Sequence, residues 1–182
     1  MTTPNAQDVL DFWFVQSGPS QWFAKDDTFD QQIHQRFADL CPQAHAAELF
    51  AWRNTPQGRL AEIIVLDQFS RNLYRDSAQQ FAADPMALTL AQEAIAVGAD
   101  QALSQQQRVF LYMPFMHSES KLIHQHALRL FTDLGIANNL DYEQQHKAII
   151  DRFGRYPHRN AVLGRQSTAQ ELEFLQQPNS HF

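Results

Sequence analysis

Three times in this sequence a side chain able to cap a helix stands directly before a proline, at Thr3-Pro4, Thr55-Pro56 and Asp84-Pro85. Proline at the first helical position loses nothing, because its missing N–H would be unpaired there and its φ is already helical. Apolar residues follow each device at helical spacing. Val9, Leu10, Trp13 and Phe14 run until Gly18-Pro19; Leu60, Ile63 and Ile64 follow Thr55; Met86, Leu90, Ala94 and Val97 follow Asp84 and stop at Gly98. A further stripe, Phe29, Ile33, Phe37 and Leu40, begins near Asp27, and Pro42 is expected to break or kink it. Ser104 with Gln107 and Thr168 with Glu171 have capping-box spacing, Pro114 is expected to end the helix that Ser104 opens, and two more helices are expected over about 118–134 and 141–153. Strand signals barely occur. The pattern predicts an all-α chain of roughly eight helices, packed as antiparallel pairs in an array or bundle. No linker-like stretch divides it, so residues 1–182 read as a single all-helical domain.

Composition narrows the function classes. Fourteen phenylalanines among 182 residues supply a well-filled core. The lone Cys41 makes no disulfide within the chain and reads as a buried thiol. Acids in place of the basic start of a signal peptide, and no apolar stretch of about 20 residues, lead us to expect a soluble, cytoplasmic protein with no membrane partner. A net charge of −6 argues against nucleic acid as a partner, because that binding neutralises many phosphates at once. Eleven of the fourteen basic residues are arginine, the side chain suited to gripping carboxylate or phosphate with two parallel hydrogen bonds.

Candidate site residues are polar groups on stripes that should be buried. Leu60, Ile63 and Ile64 project at helical spacing to Asp67 and then Arg71. Ile123, Ala127, Leu130 and Leu134 project back to Glu119, with His117 just before the helix and Ser118 as its expected N-cap. Tyr142, Ile149, Ile150 and Phe153 pass through His146. Isolated buried charges cost several kcal/mol, so such groups are expected to meet one another. "RFGRYPHRNAVLGR" adds four arginines and a histidine in fourteen positions without an acid. Pro157 stiffens that connector, and Arg155, His158 and Arg159 are expected to turn inward toward Glu119 or Asp67, leaving Arg165 as a surface or capping residue.

Each of these residues also has a plainer reading. Asp67 with Arg71 is an ordinary ion pair, His146 a satisfied core histidine, Glu119 an acid in a first helical turn. No nucleophile elbow surrounds Ser118. His117, Glu119, His146 and Asp67 offer mixed nitrogen and oxygen ligands, but HExxH is absent, and Glu143-x-x-His146 is one copy of a motif that di-iron bundles use twice. Neither a metal nor another cofactor is expected.

"LDQFSRNLYR", "FLYMPFMHSE" and "RFGRYPHRN", in this order over nearly the whole length, resemble a bacterial family of unknown function classed with the tetratricopeptide-like helical folds. Ser70 departs from the proline usual in that family's first string. The resemblance implies a tetratricopeptide-like helical array and no activity. Three functions compete. The favoured one is a partly buried pocket of Asp67, Arg71, His117, Glu119, His146, Arg155, His158 and Arg159 that binds a small anionic ligand or peptide through phosphate or carboxylate. The others are an enzyme using Glu119, Asp67 or His146 as acid or base, and a structural ion network beneath a protein-interaction surface.

Overall fold

The computed structural model describes residues 3–180, and every regular element among them is helical. The chain divides into two compact units, Met1–Arg75 with Gln79–Pro114, and Asp76–Ala78 with Phe115–Phe182.

The first unit contains α1 (Ala6–Asp11), α2 (Pro19–Trp22), α3 (Asp27–Phe37), α4 (Leu40–His45), α5 (Pro56–Ile64), α6 (Ser70–Leu73), α7 (Gln79–Ala82), α8 (Asp84–Ala96) and most of α9 (Gln105–Met116). Asn5, rather than Thr3, caps α1, accepting from the Gln7 and Asp8 N–H groups while Asp8 accepts from its own. Helix α1 then widens into a π-turn over Phe12–Gln16. The core is aromatic: Phe12 stacks on Phe29 with ring centroids 5.5 Å apart, and Phe110 meets Trp13 edge-on at 5.5 Å.

Helix α5 is the central element, and every residue from Leu60 to Ser70 is buried. Thr55 caps it as expected, accepting from the Gly58 N–H at 3.0 Å. A second π-turn, Val65–Phe69, joins α5 to α6 and carries Asp67. Helix α8 keeps only part of the expected stripe: Ala94 is buried with Ala87 and Ala91, whereas Met86 and Leu90 are half-buried and Val97 is exposed. The residue before α8 is Ala83, so Asp84 is its first residue and not its cap. Pro42 lies inside α4, and α9 passes through Pro114 to Met116 with one backbone donor fewer.

The second unit is built on α10 (Lys121–Leu134) and α11 (Ala137–Phe153), antiparallel neighbours joined through Gly135, whose φ of +76° closes the turn. Gly154, at φ +70°, ends α11 and releases the chain into a 3₁₀ turn at Pro157–Arg159. The expected Thr168–Glu171 capping box opens α12 (Ala169–Phe174).

Candidate functional site

The chain leaving α9 has no glycine to close the helix end. Its carbonyls are taken by side chains from later in the second unit. Tyr156 Oη donates to the Met116 carbonyl at 2.5 Å, Arg159 Nη2 to the His117 carbonyl at 3.0 Å, and His124 Nε2 to the Ser118 carbonyl at 2.8 Å. Glu119 comes next, its carboxylate accepting the Tyr156 N–H at 2.7 Å and two hydrogen bonds from Arg165 at 2.6 and 2.9 Å. Burial pushes Glu119 up, but Arg165, the Tyr156 N–H and the charge of Arg159 outweigh it and hold the carboxyl below its usual range.

Tyr156 is fully buried and surrounded by imidazoles. Ring centroids of His158, His146 and His124 lie 5.5, 5.7 and 6.3 Å from its own, and the Arg159 guanidinium sits over its face at 4.6 Å. His146 Nδ1 is 2.7 Å from the Tyr142 carbonyl. A carbonyl only accepts, so Nδ1 carries the hydrogen and Nε2 keeps the lone pair. Burial, reinforced by the charges of His117, His124 and His158, pushes His146 down to about 3 even though the Tyr142 bond opposes it. His146 is neutral at pH 7. His117 and His158 are half-buried and form the accessible rim.

Beneath the rim, His124 Nδ1 and Glu143 Oε1 are hydrogen-bonded at 2.8 Å, both side chains wholly buried. Burial pushes Glu143 up against the opposing pull of His124, and its buried Oε2 has no hydrogen-bond partner.

The residues singled out from sequence divide between the units. His117, Glu119, His146, Arg155, His158 and Arg159 belong to the second, where Arg159 is buried within the cluster. Arg155 does not turn toward Glu119 or Asp67: it forks Glu171 at 2.7 and 2.8 Å, holding that carboxyl down to about 2. Arg165, half-buried, takes the place on Glu119 expected of Arg155. Ser120 rather than Ser118 caps α10, accepting from the Ile123 N–H, so Glu119 precedes the helix instead of complementing its first turn.

Asp67 and Arg71 belong to the first unit. Arg71 Nη1 lies 3.1 Å from the buried Asp67 carboxylate, and the guanidinium forks Asp84 with two bonds of 2.9 Å. Asp67 also accepts from the Gln68 amide at 2.5 Å. Cys41 is buried there, its thiol pushed up to about 12 by desolvation. Among the described residues no group of three or more His, Cys, Asp or Glu is placed to hold a metal ion, and no helix is long and apolar enough to cross a membrane.

The model of a family described as bacterial protein of unknown function (DUF924) matches residues 9–179. The chain belongs to this family. A solved structure of a protein of unknown function from Agrobacterium tumefaciens is 43% identical, covering 94% of this chain and 96% of that one with a TM-score of 0.90. No curated protein matches the sequence.

In this DUF924 member, sequence reasoning passes over His124 and weighs Glu143 only as half of a di-iron motif, missing that the two pair. His124 and Glu143 take the inward positions that the apolar pattern gives to Ile123 and Tyr142, the latter being exposed. The signal was present: His124, Ala127, Phe131 and Leu134 are spaced three, four and three, the period of a buried face. Counting only apolar residues shifts that face by one position.

Proposed function

We propose that the second unit binds a small anion, carrying phosphate or carboxylate, on the cluster of His117, His146, His158 and Arg159 around Tyr156. The observation that carries this reading is the gathering of three imidazoles and one guanidinium on a single tyrosine ring, with the charge of a fourth imidazole, His117, felt at His146. Such a group costs stability through mutual repulsion and desolvation, and an anion relieves both. His146 contributes twice, as a neutral ring that adds no charge before binding and as an Nε2 lone pair that takes a proton once a negative ligand stands beside it. Arg155, Arg165 and Glu119 act as walls, since their bidentate pairs already use the forks that would otherwise grip a ligand.

Acid–base catalysis is the second reading, favoured by the His146 lone pair alone. Glu119 is a poor acid or base because Arg165 holds it ionised. A purely structural network explains the Arg155–Glu171 and Arg165–Glu119 pairs but gives no reason for four imidazoles. The test is a thermal-shift series with phosphate, sulfate and acetate against chloride at matched ionic strength. Wild type and Arg155→Lys are expected to gain melting temperature with one of the first three anions. Arg159→Lys is expected to lose most of that gain, because an ammonium does not reproduce the planar fork. No anion-specific gain in wild type, or an equal gain in all three proteins, refutes the site.

A further inference from the structure

Helices α8, α10 and α11 are each followed by a glycine in the left-handed region, Gly98, Gly135 and Gly154, which closes the helix end at little cost. Helix α9 ends differently. His117, Ser118, Glu119 and Ser120 follow it, and three successive carbonyls, those of Met116, His117 and Ser118, are received by Tyr156, Arg159 and His124. Terminal carbonyls need partners, but a glycine supplies them without burying an ionisable pair. Here a wholly buried imidazole is used, and behind it a wholly buried carboxyl with one oxygen that has no hydrogen-bond partner. Replacing buried ionic groups by apolar ones is often neutral or stabilising, so an ordinary helix stop does not require this arrangement.

The residue in the middle of the gripped segment is His117. Its own carbonyl is held by Arg159, the carbonyls on either side by Tyr156 and His124, and the next side chain along, Glu119, is held by Arg165 and the Tyr156 N–H. Three consecutive carbonyls and the side chain that follows them are thus held, which fixes the main chain from which the His117 side chain projects.

We infer that His124 and Glu143 are a positioning pair: Glu143 holds the imidazole at Nδ1, and the imidazole, donating from Nε2 to the Ser118 carbonyl, fixes the main chain that presents His117 to an anionic ligand. This inference rests on the anion-site reading above and assigns that site a supporting layer which touches no ligand. The tautomer follows from the acceptors. The Ser118 carbonyl cannot donate, so Nε2 carries a hydrogen whichever group holds the proton of the Nδ1–Glu143 hydrogen bond.

Two amides separate the two contacts of His124. In His124→Gln the amide reaches the former Nε2 position and keeps a donor for the Ser118 carbonyl. In His124→Asn it reaches only the Nδ1 position, keeping the Glu143 contact and losing the carbonyl. Inorganic phosphate is titrated into the full chain while the histidine ring signals are followed by NMR. In wild type, phosphate is expected to move the His117 signal. His124→Gln is expected to bind within about threefold of wild type, and His124→Asn about tenfold more weakly, with the His117 signal displaced before phosphate is added. Equal affinity in the two variants, or the reverse order, overturns the positioning role. If either variant fails to fold, Tyr156→Phe, which removes the neighbouring grip on Met116, replaces it; weakened binding supports the inference and unchanged affinity overturns it. A wild type that does not bind phosphate, sulfate or acetate refutes the anion site itself, whereas binding that is indifferent to these substitutions refutes only the positioning pair.

Discussion

His146 links burial to pH at the level of a single residue. An unfolded imidazole takes a proton near 6.5, whereas this one is held neutral down to about 3. Between those values the unfolded chain binds more protons than the folded one, so stability falls as pH drops from about 6.5 toward 3. His45, also pushed down by burial, adds to the slope from the first unit. Glu119 and Glu171, both held low, contribute stability that is present above about 4.5 and lost as pH falls through their folded values. Glu143 has the opposite sign: its raised value favours the folded state at low pH, and the contribution disappears as pH rises through that value. Melting temperature is therefore expected to fall between pH 6.5 and 5, before Glu119 and Glu171 matter and with Glu143 opposing part of the fall. His146→Asn, whose amide still donates to the Tyr142 carbonyl, should show a shallower fall. Parallel curves for the two proteins would mean that His146 accepts a proton in the folded state.

At the scale of elements, what the sequence made legible was punctuation, and what it obscured was which face turns inward. Capping side chains and stop glycines act through local backbone chemistry, so Thr55, Thr168, Gly98, Gly135 and Gly154 mark real helix ends. Facing depends on neighbours. Helix α8 packs against α5 through alanines because small side chains let two helices approach closely, and its larger residues are left at the margin. Helices α10 and α11 bury His124 and Glu143 because the two satisfy each other, which neither helix reveals alone. Arg155 and Arg165 exchange their expected roles for the same reason: Glu171, the partner of Arg155, read from sequence only as a capping acid. Gly58 shows how a contact decides the effect of a substitution. A Cβ there would overlap the Trp52 carbonyl oxygen, whereas one at Gly154 would meet nothing but require an unfavourable φ. Gly154→Ala is expected to cost about 1 kcal/mol and Gly58→Ala about 3 kcal/mol. Chemical denaturation of the two variants checks the order; equal losses would mean that the turn at Trp52 yields freely.

For the whole molecule, the relevant fact is that the seam between the two units has no signature in composition. Besides the short excursion at Asp76–Ala78, the chain passes from one unit to the other inside α9, between Pro114 and Phe115, where no run of glycine, serine or charge sets the boundary apart. The two units also divide the polar chemistry. Asp67, Arg71 and Asp84 form a network within the first, while the histidine cluster, Arg159 and the Glu143–His124 pair belong to the second. A ligand that binds only the folded second unit stabilises it by mass action, by about 2.7 kcal/mol at a hundredfold excess over its dissociation constant, and slows amide exchange through openings that destroy the site by about a hundredfold. Openings that leave the site intact are unaffected. With saturating phosphate, or whichever anion raises the melting temperature, hydrogen exchange followed by mass spectrometry is therefore expected to slow in peptides covering residues 115–125 and 142–160. Peptides from α3, α5 and α8 that exchange by local opening should be unchanged. Slowing confined to the peptides around Asp67 and Arg71 would move the ligand to the first unit, and the histidine cluster would then be a structural core that happens to be rich in nitrogen.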